Sequence, residues 1–412
     1  MISNIKKNFM FYVIVLQILM LPILPAMDGS MNPLRYVVYI LFAIMSIAVV
    51  VNYIILKKLR IDIAFKYILS FVVMCGISAT WSFSRGIPIT DIIRGLLPFV
   101  WFIYILIMFH SLKGLEFDHV LMVISIVALI YAIRIVVYYM IYVAGHKFER
   151  VTFFLVQSTS IMPMIGTLIF LYYCIRKSKF SIPAFICMLI CYTSVIITET
   201  KSMQLSLLIG FIIYLTMYFR SIRGEDPELK KAYITNGLKA ITLIIICTVV
   251  IFMITNAGTR WANTVSIDQK INVIDTGSIS VRIIELQTAF KNWLSSPVLG
   301  QGIGFRWQAD GLDYGGPVIY MHNILAFVLM NFGIIGILYI VLAVVGIFTM
   351  IIKTFKRKVI NTKPILVLFS IVIMAFLYAN FFAVYRNIDY VIALSALIAM
   401  MLKEYISQKD MG

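Results

Sequence analysis

The segment YMHNILAFVLMNFGIIG, residues Tyr320–Gly336, sets a histidine and an asparagine at the mouth of a long apolar run, with Gly333 and Gly336 inside it. The run continues to Ile352 and reads as a membrane-spanning helix, because about 20 apolar residues cross a hydrocarbon core about 30 Å thick. An imidazole at the start of such a helix sits where water meets lipid. First-turn N–H groups without intrahelical partners and the helix dipole favour an anion there. His322 at that position binds an anionic oxygen, takes a proton from a hydroxyl, or caps the helix, and the residues alone leave the three readings open. Gly333 and Gly336 read as helix-packing residues.

The rest of the chain agrees with a membrane setting. Of its 412 residues, 62% are hydrophobic and 13% charged, against about 45–50% apolar in soluble domains; the mean hydropathy is +0.99. The expected class is an all-α polytopic membrane protein with twelve spans. The first six are Phe9–Ala26, Tyr36–Leu56, Ile63–Trp81, Ile92–Phe109, Val120–Ala144 and Gln157–Ile175. The second six are Ser181–Thr198, Met203–Phe219, Ala240–Asn256, Asn323–Ile352, Pro364–Tyr385 and Tyr390–Leu402. With the N-terminus and its Lys6 and Lys7 in the cytoplasm, clusters such as Lys57, Lys58 and Arg60, or Lys353, Lys356, Arg357 and Lys358, fall in inner connections. That is the positive-inside pattern, and it places both termini in the cytoplasm. The net charge of +17 therefore reports orientation, and nucleic-acid binding is a poor explanation for it.

The basic, then apolar N-terminus imitates a signal peptide ending near Ala26, but the first span is long and the topology needs it, so it reads as an uncleaved anchor. All five cysteines fall in apolar spans, which implies no disulfide framework, and Cys187 and Cys191 read as helix packing. Three parts follow: spans one to nine over 1–256, an outward segment over 257–321, and spans ten to twelve over 322–412.

A long outward segment is usually functional. Within it, SISVRIIELQTAFKNWL repeats apolar residues at Ile283, Leu286, Phe290 and Trp293, the period of an amphipathic helix that lies on the membrane or over the spans. Ser280 would cap its start and Pro297 end it. Gly300, Gly302 and Gly304 imitate a dinucleotide fingerprint without its strand and helix, so they read as close backbone turning. The following RWQADGLDYGGPVIY reads as a polar, aromatic loop of the kind that lines a sugar site or an ordinary surface, and the inner segment RSIRGEDPELKKAYITNGLK as solvated.

Arg94, Arg134, Arg150, Lys201, Arg282 and Arg386 all fall on the outer side or in outward-opening spans, against the positive-inside trend. One cation near the bilayer can snorkel to headgroups, but a set on one face suggests an anionic ligand, and a forked guanidinium suits phosphate. Arg134, within LIYAIRIVVYYMIYV, is expected to face the bundle interior, since a charge at a helix centre costs about 2.5–3.5 kcal/mol on insertion scales. All 18 acidic residues lie in loops or at span ends. Ion-coupled transport, which uses midplane carboxylates or broken helices, is thereby disfavoured. Nor is there an Asp-x-Asp or a His and carboxylate cluster for a metal, or the paired carboxylates of common glycosidases.

His322 and Asn323, followed after nine residues by Gly333-x-x-Gly336, resemble the motif of the bacterial O-antigen ligase and O-antigen polymerase superfamily. The preceding VRIIELQTAFKNWLSSPVLGQGIGF is similar to that family's Arg-containing amphipathic segment and its Pro-Leu-Leu-Gly-x-Gly type turn. The family's Thr-x-Ser-Arg setting is matched by TETKSMQ, where Lys201 keeps the charge without the fork. The resemblance implies a GT-C-like, metal-independent glycosyltransferase of the bacterial inner membrane, without cofactor, its active site facing the periplasm. Its donor would be an undecaprenyl-pyrophosphate-linked glycan. Its acceptor would be a second lipid-linked glycan in a polymerase, the favoured reading from the SSPVLGQGIG turn, or lipid A core in a ligase, with a chain-length regulator as a further partner. His322 and Arg282 would be catalytic, and Lys201, Arg386, Arg150, Arg134, Arg94 and Asn323 would bind substrate. A lipid-linked oligosaccharide flippase is the alternative from another class.

Overall fold

In the computed structural model, residues 12–23, 33–55, 62–100, 102–111, 117–143, 160–198, 200–254, 279–308, 316–356 and 363–410 are described. Arg150, the segments 255–278 and 309–315, and both ends of the first expected span lie outside them.

The chain is helical: α1 (residues 12–20), α2 (Pro33–Ile55), α3 (Ile63–Ser84), α4 (Ile89–Val100), α5 (Ile103–Ser111), α6 (Phe117–Tyr138) and α7 (Met162–Ile175) form the first half. Then come α8 (Ile182–Ile197), α9 (Lys201–Ser221), α10 (Pro227–Ile254), α11 (Ile279–Leu294), α12 (Ile324–Lys356), α13 (Lys363–Ala379) and α14 (Ile388–Asp410). Among the described residues, the one β contact is an isolated antiparallel bridge between Trp307 and Val318. Also among the described residues, six helical stretches are long and apolar enough to cross a membrane: Ala64–Ser84, Ile89–His110, Asp118–Ile141, Lys201–Gly224, Pro227–Met253 and Ile324–Phe355. Shorter apolar helices cover Ile40–Val51, Met162–Ile175, Ile182–Ile197 and Pro364–Ala379. Together they make a multi-pass membrane protein.

Several elements depart from expectation for local reasons. The expected span Ile92–Phe109 comes as α4 and α5, with Pro98 in the last turn of α4, where the missing N–H and the ring weaken the ladder. The ninth expected span starts early, because α10 begins at Pro227 and runs without a break into it, while the charged stretch read as solvated is largely exposed. Asn236 on that extension donates to the Lys177 and Ser178 carbonyls at 2.9 and 3.1 Å and so pins it to the turn after α7.

The core is built where small residues let helices approach. Helix α7 is buried along nearly its whole length, packed against α6 and α8. A Cβ on its Gly166 would stand 2.6 Å from Ala128 Cβ and 2.9 Å from Cys191 Sγ. Cys191 is thus a packing residue, and all five cysteines are free thiols. In the first half, buried Gln17 donates to Ser46 Oγ at 2.8 Å and accepts from Tyr104 at 3.0 Å, tying α1, α2 and α5 through apolar surroundings where an unpaired amide would be costly.

Alternating helix directions bring the ends of α3, α8 and α13 and the starts of α4, α9, α12 and α14 to one end of the bundle. Arg282, His322 and Arg386 lie there.

Candidate active site

The foundation is a break in α12. Gly333 has φ 60° and ψ −149°, a conformation open in practice to glycine, and it interrupts the helix. A break inside apolar surroundings leaves two helix carbonyls and two N–H groups without their usual partners, and each must be satisfied. The turn after α11, together with Ser78 of α3, does this. Gln301 N–H donates to Met330 O at 2.7 Å, while Ile334 and Ile335 donate to the Pro297 and Val298 carbonyls at 3.0 and 3.5 Å. Asn331 O accepts from Ser78 Oγ of α3 at 2.9 Å.

The turn itself can lie so close because of its glycines. Gly300, Gly302 and Gly304 have φ of 70°, 92° and 85°. Cβ atoms on them would fall 2.5 Å from Met330 O, 2.3 Å from Ser82 Oγ and 2.6 Å from the Asp91 backbone. Close backbone turning is therefore what these glycines supply, and Gly333 serves the same junction instead of packing a continuous helix. Arg306 then bolts the far end of the turn to α4: its Nε and Nη2 meet the buried Asp91 carboxylate at 2.7 and 2.9 Å. That pairing raises the Arg306 pKa further above its ordinary value.

Helix α11 lies with its apolar stripe outward. Ile283, Leu286 and Phe290 are exposed, whereas Glu285 and Ala289 on another face are buried against the protein. This inverts the rule for water-soluble helices and fits a helix lying in the membrane interface, where lipid covers the apolar side. The described helix begins at Ile279, so Ser280 sits in its first turn and does not precede it; the helix ends at Leu294, ahead of Pro297.

The stretch Tyr320–Asn323 is held residue by residue. The Tyr320 hydroxyl donates to the Arg94 carbonyl, and the Arg386 guanidinium lies over the Tyr320 ring, 3.9 Å from its centroid. Burial pushes the Tyr320 phenol up, while Arg386 and Arg94 oppose the shift. The buried Tyr385 hydroxyl donates to Met321 O at 2.7 Å and accepts from Met321 N–H at 3.3 Å. His322 meets Glu285 of α11 twice: Nδ1 stands 2.6 Å from Oε1, and the backbone N–H donates to Oε2 at 3.1 Å. Asn323 accepts from Ala326 N–H at 2.9 Å and is the N-cap of α12. The cap falls to the asparagine, which leaves His322 to face α11.

Arg282 completes the group. Its Nε donates to the Phe381 carbonyl at 3.1 Å in the connection between α13 and α14, and its Nη1 lies 3.9 Å from Glu285 Oε2. The Phe382 ring meets His322 edge-on at 6.1 Å between centroids. Arg282, Glu285 and His322 thus form one cluster, with side-chain exposures of 23%, 0% and 32%, so the cation and the imidazole reach the surface and the carboxylate does not.

Tyr385→Phe tests this scaffold. Removing the hydroxyl orphans two buried Met321 backbone groups, which costs about 1–3 kcal/mol. The expected result is a lower unfolding temperature in detergent together with a several-fold drop in activity, measured on the same preparation.

The other anticipated residues spread out. Arg94 is two-thirds exposed, with Nη1 4.0 Å from Asp91 Oδ1, and with Arg386 it borders the Tyr320 side of the cluster. Lys201 is the exposed first residue of α9, at the same end of the bundle. Arg134 is a correction: its side chain is exposed and Nη1 donates to Pro22 O at 2.9 Å, so it satisfies the carbonyl end of the first helical segment instead of facing the interior. Sequence reasoning missed Glu285, Arg306 and Tyr385. Glu285 carried a signal, its i+3 spacing from Arg282 on a face away from the apolar stripe.

Residues 183–341 match the family model described as O-antigen ligase. That range takes in α8 to α11, the glycine turn, His322 and the break at Gly333. No curated protein matches the chain, and no solved structure matches it.

Proposed function

We propose, from the match of residues 183–341 to the family model described as O-antigen ligase, that the chain is a membrane glycosyltransferase of the O-antigen ligase and polymerase superfamily that moves a glycan from undecaprenyl pyrophosphate to a hydroxyl acceptor at the outer face of the inner membrane. The observation that carries the reading is the meeting of Arg282 and His322, from two distant stretches, around one buried carboxylate. The reaction needs a cation for charge growing on the departing diphosphate and a group that receives the acceptor's proton. Arg282 suits the first and His322 the second. Lys201, Arg94 and Arg386 add positive charge at the same end of the bundle, suited to holding lipid-linked anions there, with Arg150 as a further candidate by its place in the chain. The remaining details proposed are twelve spans, a periplasmic segment over 257–321, and action without a metal.

The favoured acceptor is a second lipid-linked repeat unit, which makes the chain a polymerase; the description of the matching family favours a ligase acting on lipid A core. A gel of surface polysaccharide from a deletion strain, with its lipid-linked pool extracted in parallel, tests both. Glycolipid bearing a single repeat is the result expected of a lost polymerase. Bare core with long polymer still on the carrier identifies a ligase, and repeats trapped on the cytoplasmic side identify a flippase and end the transferase reading.

A further inference from the structure

A fully buried carboxylate beside a part-exposed histidine calls for a reason, because burying a charge is unfavourable unless it is paired and hydrogen-bonded. Glu285 is satisfied at both oxygens: Oε1 meets His322 Nδ1 at 2.6 Å, and Oε2 accepts the His322 backbone N–H at 3.1 Å with Arg282 Nη1 3.9 Å away. The N–H and the guanidinium favour the ionised form, and a carboxylate only accepts. The proton of that short contact then belongs to Nδ1, which puts the ring's lone pair on Nε2.

Resting on the glycan-transfer reading, we propose that Glu285 is a positioning residue that holds His322 in the Nδ1-protonated tautomer, so that Nε2 is the general base for the acceptor hydroxyl. As the acceptor oxygen bonds to the anomeric carbon, its proton passes to Nε2. The bond from that carbon to the diphosphate oxygen breaks, and its electron pair leaves with the diphosphate beside Arg282. Glu285 stays ionised and offsets the imidazolium until solvent takes the proton. The same contacts fix the distance between base and leaving-group cation, since Glu285 and Arg282 stand three residues apart on one helix. What this adds to the proposed reaction is Glu285, whose contacts set the tautomer of the base.

Glu285→Gln tests it with almost no change of shape. The His322 backbone N–H requires an oxygen at the Oε2 position, so the amide NH₂ must face Nδ1, which then accepts and moves the ring proton to Nε2. A base is lost by that exchange; a donor to phosphate is kept. The assay uses membranes carrying lipid-linked glycan extracted from the source strain, with transfer and donor retention both measured. It is paired with ¹⁵N-histidine NMR of the purified protein, in which His322→Ala identifies the His322 signals.

The expected result is a loss of transfer of at least about tenfold and up to about 10⁴-fold, the size seen when a triad carboxylate becomes an amide, with donor retention unchanged. In the wild type Nδ1 should carry the proton, and in the variant Nε2. A loss below tenfold overturns the proposal, as does a wild-type spectrum with a proton on Nε2, alone or with Nδ1. Should the Gln variant fail to fold, the wild-type spectrum decides. The wild type and Arg282→Ala separate the two levels: a wild-type protein that transfers no glycan defeats the glycan-transfer reading, whereas transfer lost in Arg282→Ala and kept in Glu285→Gln defeats only the role of Glu285.

Discussion

Alanine at Arg282 or at His322 abolishes glycan transfer, by about 10²–10³-fold or more in each case, while the protein accumulates in the membrane at its normal level. The size follows from the chemistry, since a general base contributes about 10²–10⁴-fold and one preorganised donor to developing negative charge about 10²–10³-fold. Normal abundance follows from the packing. Both side chains reach the surface, and neither belongs to the apolar core. Surface glycan from complemented deletion strains, read beside an immunoblot of the membrane fraction, checks both halves. Wild-type glycan in either variant would remove the assignment of these residues.

Gly333→Ala has an effect of comparable size with no chemistry at the substituted atom. A Cβ at Gly333 would fall 2.4 Å from Val298 O and 2.6 Å from Gly300 N, both backbone atoms that cannot turn aside, at φ 60° and ψ −149°. The strained backbone alone costs about 1–3 kcal/mol, and the clash must push the glycine turn off the break in α12. That would take the partners from the Met330 carbonyl and from the Ile334 and Ile335 N–H groups and shift the start of α12, beside His322. Transfer should fall by about 10²-fold or more, with a clear drop in unfolding temperature. Gly224→Ala is the control, since nothing stands within 4 Å of its Cβ and it lies at the opposite end of the bundle. Full activity in Gly333→Ala would mean that the break does not position the site.

The sequence made some of this legible and concealed the rest for physical reasons. His322 and Arg282 stood out because cations and imidazoles are conspicuous in a chain with 13% charged residues. The glycine turn was readable, since alternate glycines rarely serve anything but tight backbone. The partner of that turn was hidden: the apolar run around Gly333 looks like one continuous helix, and only the Gln301, Pro297 and Val298 contacts show that it is broken. Glu285 was hidden by the general truth that acidic residues here sit outside the spans, which says nothing of whether the protein then covers them. The period of α11 was legible, yet a period does not say which face turns inward, and the buried positions proved to be Glu285 and Ala289. Arg134 misled because an apolar setting in sequence does not fix on which side of a helix a guanidinium finds its acceptor.

The most direct test is transfer by the purified protein in proteoliposomes loaded with undecaprenyl-pyrophosphate-linked glycan from the source strain. Release of undecaprenyl pyrophosphate and growth of the glycan, or its appearance on added lipid A core, are followed together. The account predicts release that depends on an acceptor and vanishes in both Arg282→Ala and His322→Ala. Release that persists in those variants, or a wild-type protein that moves the lipid across the bilayer and breaks no glycosidic bond, would contradict it.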